Sequence, residues 1–339
     1  MENSTFTSSF AGLTELASEK VGGKVLLASD DFFAEKENLI KVEKPIFIPD
    51  KYTDKGKWMD GWESRRKRVQ GFDWCILKLG ISGFVKGVDI DTSFFIGNYP
   101  PYASIEACFF EDDVTNKELL GANWTEILPK SSLNPGSQNL FSCYQQDKPW
   151  SHLKLNIFPD GGVARLRVYG EVLKKIPKDN SLFELSALVN GGKVITCNDM
   201  FFGNKDNMIA PGKAKNMGDG WETRRKRIIE GPDWAIIKLA TKGSIKELLI
   251  DTSYFKGNYP DSCWVEGIFA TNLDDIEFFN PHKLDWIEIL PKSKLEPDKE
   301  HKFTELKNTD KIFTHLKLNI FPDGGISRFR AFGFVTNIV

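Results

Sequence analysis

The chain has few of the side chains that carry chemistry most readily. Of its 339 residues only five are Cys and four are His. Cys75, Cys108, Cys143, Cys197 and Cys263 show no CxxC spacing, which excludes a zinc-knuckle pattern and offers no disulfide framework. No uninterrupted apolar run exceeds about five residues, far short of the ~18 to 20 that span a bilayer, so no membrane association is expected. Neither sign of charge dominates. With 45 basic against 47 acidic side chains, the net charge of -2 lacks the footprint of a nucleic-acid binder. Met1 to Ser9 has neither a basic nor an apolar region, and the first arginine is Arg65. The last tripeptide, Asn337-Ile338-Val339, is not a retention or peroxisomal signal, so a cytoplasmic location is expected.

What the chain does have is an ordinary globular composition, 41% hydrophobic and 27% charged. Its length suits roughly two domains of ~150 residues. An internal duplication makes that count concrete. Gly22-Gly23-Lys24-Val25 returns at Gly191 to Val194, and DGWESRRKR at Asp60 to Arg68 returns as DGWETRRKR at Asp219 to Arg227. IDTSFF at Ile90 followed by GNYP at Gly97 returns at Ile250 and Gly257, and LKLNIFPDGG at Leu153 is repeated letter for letter at Leu316. Two homologous domains follow, at 13–170 and 182–334, joined by a lysine-rich linker at 171–181.

Each copy reads as β. Trp74 to Leu79, Val85 to Asp91, Ser104 to Phe110 and Leu153 to Ile157 are strand-like runs separated by Gly, Pro, Asn and Asp clusters. Helical periodicity is scarce, with one short turn expected within Phe32 to Ile40. Short strands with long polar connections point to an antiparallel β-sandwich, with a barrel as the alternative. Leu153 to Ile157 and Ala164 to Val168 are expected to form a hairpin, with Ile157 opposite Ala164, Leu155 opposite Leu166 and Leu153 opposite Val168. Alternation then places His152, Lys154 and Asn156 beside Arg165, Arg167 and Tyr169 on the other face. The second copy presents His315, Lys317, Asn319, Arg328 and Arg330 in the same way. Such a face is either wet surface or an anion site.

Comparing the copies separates what the shared plan needs from what drifted. No Cys is matched, and of the histidines only His152 and His315 correspond. All ten Arg fall into five pairs: Arg65/Arg224, Arg66/Arg225, Arg68/Arg227, Arg165/Arg328 and Arg167/Arg330. A guanidinium fork retained at every position points to bidentate bonding with carboxylates, of the protein or of a ligand. The matched acids Asp60/Asp219, Glu63/Glu222, Asp91/Asp251, Glu106/Glu266 and Asp160/Asp323 could supply a structural lattice instead. The Arg-Arg-Lys-Arg run also admits a nucleic-acid or localisation reading, weakened by the interleaved acids. Asn98 and Asn258 read first as turn formers and second as ligand contacts. Asp30-Asp31 and the matched carboxylates could hold a hard cation through oxygen ligands, although no spacing is diagnostic.

In tandem order, DGWE[ST]RRKR, DW.I.KL, IDTS[FY]F.GNYP, E[IL]LPKS and H.KLNIFPDGG..R.R resemble the allantoicases (allantoate amidinohydrolases), most closely the fungal form. The resemblance spans nearly the whole chain. It implies two jelly-roll β-sandwiches of the galactose-binding-like type, related by duplication and assembled into a homo-oligomer. It also implies a hydrolase of purine (allantoin) degradation that converts allantoate and water to ureidoglycolate and urea. No cofactor is obligatory on this reading, with a divalent metal such as Mn²⁺ as an option. Allantoate is a small carboxylate whose central carbon bears two ureido groups, so its site needs a cation for the carboxylate and acceptors for the ureido N–H groups. Arg65, Arg66, Arg165, Arg167 and Asn156, with Arg224, Arg225, Arg328, Arg330 and Asn319, are the candidate substrate contacts. His152 or His315, with Glu63 or Glu222, are the candidates for moving protons. The first long loop differs between copies: Asp31 is matched by Met200 and Lys36-Glu37 by Lys205-Asp206.

The competing class is a non-catalytic tandem module that binds a carbohydrate-like ligand through end loops. Trp62, Trp74 and Trp124 recur as Trp221, Trp234 and Trp286 and would be its platforms, although Trp74 and Trp234 open apolar strands and read as core.

Overall fold

The computed structural model describes residues 10, 12–144, 147–228 and 230–336; the terminal segments weighed above as targeting signals, 1–9 and 337–339, lie outside them. The chain divides into two compact units between Leu173 and Lys174. In the first, β1 (Thr14–Glu15), β2 (Lys24–Ala28), the short pair β3 (Tyr52–Thr53) and β4 (Gly56–Lys57), and β5 (Trp62–Glu63) lead to the long β6 (Asp73–Asp91). After it come β7 (Tyr102–Cys108), β8 (Thr125–Ser132), β9 (Leu140–Ser142), β10 (Trp150–Phe158), β11 (Gly162–Val163) and β12 (Arg165–Val172). Glu171 and Val172, placed in the linker by sequence, end β12 opposite Phe84 and Gly83.

The second unit repeats the plan without a β3–β4 pair among its described residues. Its first strands are β13 (Phe183–Glu184), β14 (Lys193–Cys197), β15 (Trp221–Glu222), β16 (Asp233–Asp251) and β17 (Ser262–Ile268). The rest are β18 (Ile287–Lys294), β19 (Glu300–Phe303), β20 (Phe313–Phe321), β21 (Gly325–Ile326) and β22 (Arg328–Val335). Among the described residues, helix is limited to Asn116–Leu120 and short 3-10 turns such as Lys36–Ile40, inside the stretch expected to turn. No helix among the described residues is long and apolar enough to cross a membrane.

The 19-residue strand β6 organises the first unit. Its first half pairs with β2 and β10, and its second half with β12 and β9; β10 continues to β7 and then β8. One strand therefore serves both layers of a jelly-roll sandwich, and β16 does the same in the second unit. The register slips between Lys78 and Gly83, where the strand bends. A Cβ on Gly83 would lie 2.3 Å from the Glu171 carbonyl oxygen, and one on the matched Gly243 2.5 Å from that of Phe334, so only glycine lets the backbones approach there.

The expected hairpin is not formed. In the strand order β6 lies between β12 and β10. Leu153, Leu155, Leu166 and Val168 are nonetheless fully buried. In the second unit Leu316, Leu318 and Ile320 of β20 share one core with Phe329 and Ala331 of β22. Alternation identified the inward side chains, each worth roughly 1.5 to 3 kcal/mol of burial, but it does not say which strand is the neighbour. Trp74 and Trp234, expected in the core, are half-buried; the fully buried pair is Trp62 and Trp221.

Candidate active site

Buried anchors hold one carboxylate and one amide together at an end loop of each unit. β5 pairs with β11, setting Trp62 opposite Val163 and Glu63 opposite Gly162. Trp62 turns inward and its indole N–H donates to the Asp30 carbonyl at 2.8 Å, so alternation turns Glu63 away from the core. The facing loop leaves β6 at Asp91, whose carboxylate accepts the Ser93 N–H at 2.8 Å. Buried Thr92 donates its hydroxyl to the Asn134 carbonyl at 2.6 Å, and Phe94 takes a left-handed φ of 70°. Phe95, 1% exposed, then packs between two glycines. A Cβ on Gly61 or Gly162 would lie 2.8 or 1.9 Å from its ring, so both positions need a bare backbone.

This packing brings Asn98 to Glu63. The Gly162 N–H donates to the Asn98 carbonyl at 2.8 Å, and the Asn98 Nδ2 donates to Glu63 Oε1 at 2.8 Å. In the second unit Gly325 holds Asn258 at 2.9 Å, and the Asn258 amide donates to Glu222. Burial raises the Glu63 carboxyl above the usual range, and the Asn98 bond offsets this only in part. Glu63 and Asn98 open onto a cavity of about 380 Å³ bordered by Phe33, Phe47, Lys55, Lys57 and Phe94. Glu222 and Asn258 open onto one of about 480 Å³ bordered by Phe202, Arg225, Tyr259 and Asp323. Either volume suits a small polar molecule. Asn98 and Asn258, read first as turn formers, are thus also the amides of these sites.

The histidines sit elsewhere. His152 and His315 are each 2% exposed, in mid-strand. Their Nδ1 atoms lie 2.9 Å from the hydroxyls of Ser151 and Thr314, and their rings pack on Phe110 and Phe278. Burial, reinforced by Lys78 or Lys238 and opposed by Asp113 or Asp275, lowers both to about 4. The face expected to be wet surface or an anion site is covered instead. Asn156 and Asn319, 4% and 1% exposed, donate to Glu106 and Glu266, each at 2.9 Å. Those two acids also bind Lys154 and Lys317.

Most of the paired arginines are structural. Arg165, 1% exposed, reaches Asp60 Oδ2 at 2.8 Å and the carbonyls of Glu43, Asp60 and Ala164. Arg328 copies this with Asp219, Gly212, Asn207 and Ser327. Burial works to raise the Asp60 carboxyl, but the Arg165 bond, the Ile46 N–H and Lys41 outweigh it and the net shift is downward. Arg167 binds the Val42 and Glu43 carbonyls, and Arg330 binds Glu184 and the Ala210 and Gly212 carbonyls. Arg65 and Arg224 close on Asp30 and Asp199. Lys67 turns inward to Asp73 at 2.5 Å, which divides the basic run. Of the nominated arginines, Arg66 and Arg225 remain exposed and without an ion pair among the described residues, and Arg225 borders the second cavity.

The carboxylates considered for a hard cation are also engaged, Asp30 with Arg65 and Asp31 with Lys36. Among the described residues no group of three or more His, Cys, Asp or Glu could hold a metal ion. Glu63 with Asn98 is one carboxylate and one amide, so the site does not offer a full donor set. The five thiols form no disulfide, and burial pushes them upward, Cys197 to about 11 and Cys108, Cys143 and Cys263 to about 12.

The comparisons with known proteins agree with this architecture. A family model described as the allantoicase repeat matches residues 14–173 and again 183–336. Allantoicase of Dictyostelium discoideum is 49% identical over 93% of this chain and 85% of its own length. A probable allantoicase of Acinetobacter baumannii is 45% identical over 94% and 93%. The crystal structure of allantoicase from Saccharomyces cerevisiae superposes with a TM-score of 0.80 at 36% identity, covering 97% of this chain and 96% of that one. The duplicated sandwich, with its glutamate and asparagine at the end loops, belongs to the allantoicase family.

Proposed function

We propose that the chain hydrolyses allantoate to ureidoglycolate and urea in purine degradation, and that the reaction takes place at the Glu–Asn cavities. The observation that carries the site is the half-buried carboxylate of Glu63, bonded to Asn98 and open to a cavity of about 380 Å³, with the same pair recurring as Glu222 and Asn258. Because Asn98 donates to Glu63, its Oδ1 remains an acceptor for a ureido N–H. A carboxyl held above its usual range is suited to taking a proton from water and returning it. The water oxygen bonds to the central carbon, the C–N bond to one ureido group breaks, and the proton passes through Glu63 to the departing nitrogen as urea leaves.

His152 and His315 are not assigned the proton transfer, since they are covered and held neutral. Arg66 and Arg225 are the nominated arginines that are exposed and form no ion pair with a described residue, whereas Arg328 and Arg330, though bonded within the protein, line a separate cavity of about 360 Å³. The carbohydrate-binding alternative is weakened: Trp62 and Trp221 are buried, Trp74 and Trp234 are half-buried, and the indoles of Trp124 and Trp286 donate to their own loops at Leu119 and Pro281. A homo-oligomer and a cytoplasmic location complete the proposal, to be checked by light scattering and by a fluorescent fusion. Urea release by the purified chain tests the activity. A Glu63→Gln, Glu222→Gln double variant should lose about 100-fold or more in kcat, the scale of acid–base catalysis; full activity in that variant would remove the glutamates from the mechanism.

A further inference from the structure

The two cavities differ in one part of the chain. Gly22 to Asp60 spans ten residues more than Gly191 to Asp219, and the extra length forms the β3–β4 hairpin of the first unit. Thr53 closes its turn by donating to the Gly56 carbonyl at 3.3 Å. Lys57 donates to the Pro49 carbonyl at 2.9 Å and lies 4.8 Å from the centre of the Phe47 ring. Phe47 in turn stacks on Phe94 at 5.7 Å, which ties the hairpin to the loop that carries Asn98. Lys55 lies 5.3 Å from the Phe32 ring. Both lysines border the cavity of Glu63 and Asn98, and neither forms an ion pair with a described residue.

We infer that Lys55 and Lys57 hold the carboxylate of the substrate in the first repeat while Glu63 and Asn98 face its ureido groups. This rests on the site reading above. An ammonium without a carboxylate partner, set on aromatic faces, keeps donors available for an anion. Lysine binds as a point charge and can follow a small carboxylate within the cavity. Among its described residues the second repeat has no such hairpin, and it places Arg225 on its cavity wall instead. The lysines are positioning residues, so their loss should appear in binding far more than in turnover.

The test is steady-state kinetics of allantoate hydrolysis by the full chain carrying Glu222→Gln, so that turnover comes from the first repeat, with and without Lys55→Met and Lys57→Met together. KM should rise about 10- to 100-fold, as expected for the loss of charge-assisted bonds, with kcat changed less than about threefold. Lys55→Arg with Lys57→Arg should restore most of the affinity, which separates charge from folding of the hairpin. Lys44→Met, an exposed lysine of the same loop outside the cavity, controls for net charge. Salt should raise the wild-type KM and affect the Met variant little. An unchanged KM in the Met variant overturns the inference. If adding Glu63→Gln to Glu222→Gln abolishes activity while that KM is unchanged, the inference alone fails. If adding Glu63→Gln to Glu222→Gln leaves the remaining activity unchanged, the reading of the first-repeat site fails with it.

Discussion

At the scale of single residues, retention in both copies mainly reports architecture. Arg165 makes bonds to four groups from a fully enclosed position, and lysine can reproduce few of them. Arg165→Lys should therefore destabilise the first unit by about 2 to 4 kcal/mol, read as a lower urea midpoint. The arginine pairs were legible in the sequence, but their partners were not, because Asp60 and the Glu43 carbonyl are brought to Arg165 by long-range folding. The surroundings of the histidines were hidden for a related reason: alternation puts His152 and His315 on the outer face of a sheet, and sequence does not show what packs over it. A measurable consequence remains. Both histidines titrate at about 4 when folded, below their ordinary 6.5, so the unfolded chain binds more protons between those values. The stability they provide is present above pH 6.5 and is lost as pH falls towards 4. Each should account for about 1 to 3 kcal/mol of that loss after solvent screening is allowed for. Urea unfolding at pH 7 and pH 4.5 should show a smaller difference for His152→Gln than for the wild type.

At the scale of elements, the strands were readable and their adjacency was not. The alternation of β10 and β12 named the inward side chains correctly, but both strands pair with β6 rather than with each other. A 19-residue strand that bends from one layer into the other looks, in sequence, like two strands around a glycine-rich break. The site loop was half legible: Gly-Asn-Tyr-Pro announced a turn, while the Phe95 ring between Gly61 and Gly162 that aims Asn98 at Glu63 belongs to three distant segments. Phe95→Ala tests that arrangement. Its cavity should cost about 3 to 5 kcal/mol, and kcat should fall as the Asn98 loop loosens. Denaturation and urea release measured on the same sample would show both effects; a stable variant with normal turnover would mean that Phe95 does not position the loop.

At the scale of the whole molecule, the duplication was the most legible feature, because motif order survives where single residues drift. The ten-residue excess of the first copy has no counterpart in that order, and it carries the two cavity lysines that form no ion pair with a described residue. The duplication predicts how the chain unfolds. In the second unit one core cluster and the side chains packed on it all lie between Phe183 and Val335, and every strand pairing found in the structure stays within one unit. Each repeat therefore has the makings of a separate cooperative unit. The Arg165 and Arg328 lattices lie in different units, so damage to one should leave the other intact. In scanning calorimetry the total enthalpy should approach about twice the van't Hoff value, as for two independent transitions. Arg165→Lys should lower one transition and Arg328→Lys the other. If either substitution moves the whole endotherm together, the repeats unfold as a single body and the independence drawn from their separate cores is wrong.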